Sequence, residues 1–149
     1  MKYIECPEIY KPGKNEKSLF FAGGITGCRD WQSTLVKLLY YEKITLLNPR
    51  RKHFPDGDKN ELTRAQTTWE YEHFKKATAI SFWFPKEALC PITLFELGKQ
   101  SMQNKFIFVG VDPKYKRRAD IEIQMQLAKP EIKLVYSLNN LAQQIKSCT

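Results

Sequence analysis

The stretch Phe20-Phe21-Ala22-Gly23-Gly24-Ile25-Thr26, FFAGGIT, decides how the chain is read. Two aromatic residues and an alanine run into a pair of glycines, and Gly27 follows directly. An apolar run that stops in glycines is the signature of a buried strand entering a loop. One glycine is enough for a turn, and each costs conformational entropy. Three glycines within five residues therefore leave two readings open. The loop is a tight strand-to-helix turn, or it is kept bare so that a ligand can lie against the backbone.

Working outward, Leu19 to Ala22 is predicted as a buried strand, and Asp30 as the cap of a helix bearing Trp31, Leu35, Leu38 and Leu39 at helical spacing. Ile44 to Leu47 is a short strand ended by Asn48-Pro49. Residues 50–61 are polar, hold Pro55 and Gly57, and read as a loop. Thr63 to Ala77 is a helix, Ala79 to Phe84 a strand stopped by Pro85, and Pro91 opens a helix reaching to about Gln103. Lys105 to Val111 is a strand, Ala119 to Ala128 a helix, Lys133 to Tyr136 a last strand and Leu138 to Lys146 a last helix. Residues 1–17 read as an N-terminal lead-in, and 18–149 as one domain.

Five apolar strands alternating with helices predict a parallel sheet covered on both faces. The expected class is α/β, a flavodoxin-like three-layer sandwich with a five-stranded parallel sheet in the order 2-1-3-4-5. Such sheets bind ligands outside the carboxyl ends of their strands. This places the glycine loop on one side of a crevice and the segment after Phe84 on the other.

The composition, 42% apolar and 27% charged, is that of an ordinary globular protein. No apolar run reaches the roughly 20 residues of a membrane span, and no apolar segment follows Met1, so neither membrane nor secretion is expected. Cys6, Cys28, Cys90 and Cys148 are far apart, which suggests neither a disulfide framework nor a zinc site and fits a cytoplasmic setting. The net charge of +8 is scattered and attracts anions, mononucleotides included. No aromatic-and-basic recognition motif accompanies it, so a nucleic-acid partner is not expected.

Chemistry concentrates in a few residues. Glu96 is a single carboxylate in the apolar helix Ile92-Thr93-Leu94-Phe95-Glu96-Leu97-Gly98, just beyond the third strand. It lies either on a solvated stripe or in a cleft, and the helix start pointing into the crevice favours the second, where a partly desolvated carboxylate can serve as a nucleophile or general base. Glu70 shares a helix face with Phe74 and is either a hydrogen-bond acceptor at a pocket wall or an exposed helix residue. His73 has no partner at metal-ligand spacing and reads as a surface or half-buried histidine; no metal is assigned. Arg50, Arg51 and Lys52 either reach a phosphate or form a solvated loop, with neither reading favoured; Asp112 or Asp120 is a candidate for a role at the site, with Asp120 the better fit to a cap of the helix it opens. Cys90 has no histidine to activate it and reads as an inert thiol.

Three segments together, FFAGGITG, WEYEHFKKATAI and LCPITLFELGKQ followed by KFIFVGV, resemble the nucleoside 2-deoxyribosyltransferase-like family, which includes nucleoside 5′-monophosphate N-glycosidases. The resemblance runs from about Leu19 to Leu127, and Thr93 with Glu96-Leu97-Gly98 is its most specific part. It implies that Glu96 attacks the anomeric carbon of a nucleoside with net retention, and that Glu70 holds the sugar. It implies that Gly23, Gly24, Ile25, Thr26 and Gly27 receive the 5′ end, with Phe20, Cys90 and Thr93 at matching positions around the substrate; Arg50 and Asp112 join them as substrate-binding candidates from their places after the second and fourth strands alone. No cofactor and a homodimer or higher homo-oligomer are implied. The family commonly has tyrosine at the position of Phe20, and aspartate or serine at that of Cys90, so protonation of the departing base is left unassigned. Transfer, hydrolysis and nucleotide binding without turnover are the three activities compatible with these residues.

Overall fold

The computed structural model describes residues 1–53 and 57–148; Pro55 of the expected loop lies outside them. The elements, in chain order, are β1 (Lys2–Glu5), β2 (Ser18–Gly23), α1 (Trp31–Leu38), β3 (Thr45–Asn48), α2 (Lys59–Lys76), β4 (Ala79–Phe84), α3 (Pro91–Ser101), β5 (Phe106–Val111), α4 (Arg118–Ala128) and α5 (Leu138–Lys146). The five strands form one sheet in the order β1-β3-β2-β4-β5, and every pairing is parallel.

Side-chain alternation divides the strands between two cores. Phe20 and Ala22 of β2, with Phe82 and Phe84 of β4, face Trp69 and Phe74 of α2, Leu97 of α3 and Met125 of α4. Leu19 and Phe21 of β2, with Trp83 of β4, face Trp31 and Leu35 of α1 and Leu141 and Ile145 of α5. Both faces are covered, which explains why the central strands read as continuous apolar runs. Removing each of these large apolar side chains from water contributes roughly 1.5–3 kcal/mol.

The central order agrees with the expected 2-1-3-4, but the fifth strand is a different one. Residues 133–136 make only an isolated bridge, Gly110 to Val135, and do not form a strand. Its two hydrogen bonds, Val111 N to Val135 O at 2.8 Å and Val135 N to Val109 O at 3.1 Å, are all the ladder this segment supplies. The place is taken at the opposite edge by β1, which lies inside the stretch read as a lead-in and pairs with β3 from Lys2↔Thr45 to Glu5↔Asn48. Tyr10 of the same stretch is 1% exposed.

Helix ends follow their capping chemistry. Asp30 accepts from Ser33 N at the start of α1. α2 begins four residues before the expected Thr63, because Asp58 accepts from Asn60 N and Glu61 N. Asp58 with Glu61 three residues on is a helix-start signal inside the stretch read as loop. At its other end, Lys105 Nζ donates to the carbonyls of Phe74, Lys75 and Ala77 at 2.9, 2.9 and 2.8 Å, closing acceptors that the last turn leaves open. Asp120 sits in the first turn of α4 and pairs with Arg117, and it does not cap the helix. Among the described residues, no helix is long and apolar enough to cross a membrane.

Candidate active site

β2 and β4 end side by side, with Gly23 opposite Trp83. Where they stop, the glycine loop and the start of α3 enclose a cavity of about 310 Å³ lined by Phe20 to Thr26, Pro49, Glu70 and Ala88 to Thr93. A wider cavity of about 600 Å³ opens between α2 and α3, with Glu70, Tyr71, Phe95, Glu96 and Lys99 on its walls. Glu70 and Ile92 border both spaces, so the two cavities adjoin at these residues. A molecule reaching from the glycine loop toward Glu96 passes Glu70.

The two carboxylates differ in their support. Burial pushes Glu96 up to about 7, the negative charge of Glu70 pushes it in the same direction, and Lys99 opposes both. Glu70 is also raised by burial, but a hydrogen bond from Gln66 and the charge of Arg51 pull it back. Gln66 Nε2 donates to Glu70 Oε1 at 2.8 Å. Glu70 is thus held by a donor, while Glu96 is desolvated beside a like charge.

The glycine loop is shaped from within. A Cβ on Gly23 would lie 2.5 Å from Trp31 Cζ2, and one on Gly24 would lie 2.7 Å from both Cys28 Sγ and Cys90 Sγ. Side chains of the fold occupy the space those two glycines leave. Gly27 is different: among the described residues nothing lies within 4 Å of its would-be Cβ, and its φ of +72° is the left-handed backbone that favours glycine. Gly27 makes the turn and lines neither cavity.

Phe20, Gly23, Gly24, Ile25, Thr26, Cys90 and Thr93 line the smaller cavity, and Glu70 joins them to Glu96 in the wider one. Phe20 is packed edge-on against Phe74 at 5.1 Å between ring centroids. Cys90 takes a left-handed conformation before α3, donates to Ala88 O at 3.4 Å, and its thiol is pushed up to about 11, mainly by burial. A thiol so protonated is a poor nucleophile.

Arg50 and Asp112 line neither cavity. Arg50 donates to Cys28 O at 3.0 Å, and to Arg29 O and Gln32 Oε1 at 3.1 Å, which ties down the segment after the glycine loop. Asp112 accepts from Lys114 N at 2.9 Å and shapes the turn after β5. His73 is fully buried, against the expectation of a surface or half-buried position. Its Nδ1 lies 2.7 Å from Trp69 O and its Nε2 accepts from Tyr10 N at 2.9 Å, so the proton resides on Nδ1.

Gln66, Ile92 and Lys99 belong to the site although sequence reasoning passed them over. Gln66 stands four residues before Glu70 on α2, a spacing that brings helix side chains together.

Comparison with curated proteins gives no match. Residues 16–115 match the family described as nucleoside 2-deoxyribosyltransferase like, and this span takes in β2 through β5, both cavities and both carboxylates. The chain belongs to the nucleoside 2-deoxyribosyltransferase-like family.

Proposed function

We propose that this protein is an enzyme acting on the N-glycosidic bond of deoxynucleosides or their 5′-monophosphates, with Glu96 as nucleophile. The observation that carries the reading is that Glu96 and Glu70, both partly desolvated, line one cavity inside the family-matched segment. In its ionised form Glu96 attacks the anomeric carbon from the face opposite the base. The C–N bond breaks and its electron pair leaves with the base, which takes up a proton. Water or a second base then displaces Glu96 from the sugar. Two inversions give net retention. Glu70 accepts a hydrogen bond from a sugar hydroxyl and favours the positive charge that develops on the sugar ring. The carboxylate supplies the attacking electron pair, so the scheme calls for no cofactor.

The 5′ end of the substrate lies in the smaller cavity, against Gly24, Ile25 and Thr26, with Thr93 opposite. The base lies in the wider one. Tyr71, Ile92 and Phe95 are 54%, 65% and 69% exposed on or beside its wall, apolar surface that a second copy of the chain covers in an oligomer.

The test is incubation with each deoxynucleoside and deoxynucleotide, with and without a second free base, followed by chromatography. Exchanged nucleoside identifies transfer and free sugar identifies hydrolysis. Unchanged substrate throughout overturns the enzymatic reading and leaves a nucleotide-binding domain.

A further inference from the structure

Gln66 is wedged between Arg51 and Glu70. Its Oε1 accepts from Arg51 Nε at 2.7 Å and from the Cys6 thiol at 3.2 Å. Its Nε2 donates to Glu70 Oε1 at 2.8 Å and to Pro49 O at 2.9 Å. Both amide protons and the carbonyl oxygen are engaged, so the amide has a single workable orientation. Turned over, its oxygen would face a carboxylate and a carbonyl. The three segments meeting here, the end of β1, the turn after β3 and the middle of α2, are brought together by the sheet order.

We propose that Gln66, backed by Arg51, is a positioning residue that holds one oxygen of Glu70 and leaves the other as the acceptor for a substrate hydroxyl in the cavity. This rests on the reaction proposed above. The charged and titratable groups around Glu70 are Arg51 and Cys6 behind Gln66, Glu96 and Lys99 on α3, and Lys75 and Lys105 on the wider cavity wall. Burial and Glu96 oppose a charge on Glu70. The Gln66 amide, polarised by the guanidinium behind it, favours that charge. A protonated Glu70 has lost an acceptor; an ionised one keeps it.

A packing role for Gln66 would tie α2 to the turn after β3 and nothing more. The two roles separate on measurement. The carboxyl titration of Glu70 is followed by carbon NMR in the full chain, in wild type, Gln66→Met and Arg51→Met, with folding checked by circular dichroism. Steady-state kinetics are measured on a turned-over deoxynucleoside. Both variants are expected to raise the Glu70 midpoint, because each removes a group that favours its charge. KM should rise about tenfold, with a smaller loss in kcat, because the sugar is held less well before reaction. A folded variant with an unchanged Glu70 midpoint and unchanged KM overturns the proposal. If Gln66→Met fails to fold, Arg51→Met decides alone. A raised midpoint together with a wild type that turns over no nucleoside upholds the Gln66–Glu70 relation and overturns the proposed reaction instead.

Discussion

The indole of Trp31 fills the space that a side chain on Gly23 would need. A Cβ there would lie 2.5 Å from Trp31 Cζ2 and equally close to Trp83 O, and Trp31 Nε1 donates to Gly24 O at 2.9 Å. Packing therefore requires Gly23 whether or not a ligand approaches. Gly23→Ala should destabilise the fold by about 1–3 kcal/mol through overpacking, read as a lower urea midpoint. Gly24→Ala should behave similarly, because its Cβ would meet the sulfurs of Cys28 and Cys90. Cys90→Ala should restore part of that loss, a non-additivity that only direct contact produces. Equal midpoints for wild type and Gly24→Ala would show that the loop relaxes freely.

Glu96 carries opposite demands of activity and stability. Its carboxyl is raised to about 7, chiefly by burial, so its contribution to stability is complete below the ordinary carboxyl value and is lost as pH rises through 7. Glu96→Gln should therefore be more stable than wild type at pH 8, by about 1–2 kcal/mol, and equal to it near pH 4. It should also lower turnover on the order of 1000-fold or more. The wild-type rate should fall as pH drops below about 7, since attack needs the ionised form. Denaturation curves at both pH values and a pH–rate profile check these statements together; a folded Glu96→Ala variant with near wild-type rate would reject the nucleophile assignment.

Substitution of Glu70 tests its role as an acceptor. Glu70→Gln keeps a carbonyl oxygen toward the cavity and should cost less in kcat/KM than Glu70→Ala, with a difference of about tenfold. Identical losses for the two would mean that the charge matters and the acceptor geometry does not. No loss in either would make Glu70 a helix residue without a part in binding.

His73 should give the protein an acid limit. Burial holds its imidazole below the ordinary value of 6.5, and protonation would put a proton on Nε2, which now accepts from Tyr10 N. The unfolded chain takes up that proton more readily, so stability is complete above about pH 6.5 and is lost as pH falls below it. His73→Phe should lower stability at pH 8, by leaving Tyr10 N without its acceptor, yet flatten the decline between pH 7 and 5. A wild-type midpoint that does not change over that interval would contradict this account.

The elements themselves were legible in the sequence because their signals are local. Phe20 to Ala22, and Ala79 to Phe84 apart from Ser81, are apolar on both faces of the sheet, Asp30 and Pro91 mark helix starts, and Pro85 stops a strand. Glu96 was visible as a carboxylate in an apolar helix, with no view of the cavity. The tertiary structure decided the rest. β1 has Ile4 as its one buried residue, too weak a pattern to read, and exists as a strand because it pairs with residues more than forty positions away. Residues 133–136 look more strand-like than β1 but meet the sheet at a single bridge. Arg50 and Arg51 are neighbours in sequence, yet one ties down the segment after the glycine loop and the other backs Gln66. The glycines that raised the first question proved to be shaped by Trp31, Cys28 and Cys90, whose contacts depend on how strands and helices pack. Periodicity and capping involve residues a few positions apart, so the chain encodes them directly. Pairing partners and cavity walls join distant segments, and only the sheet order brings those segments together.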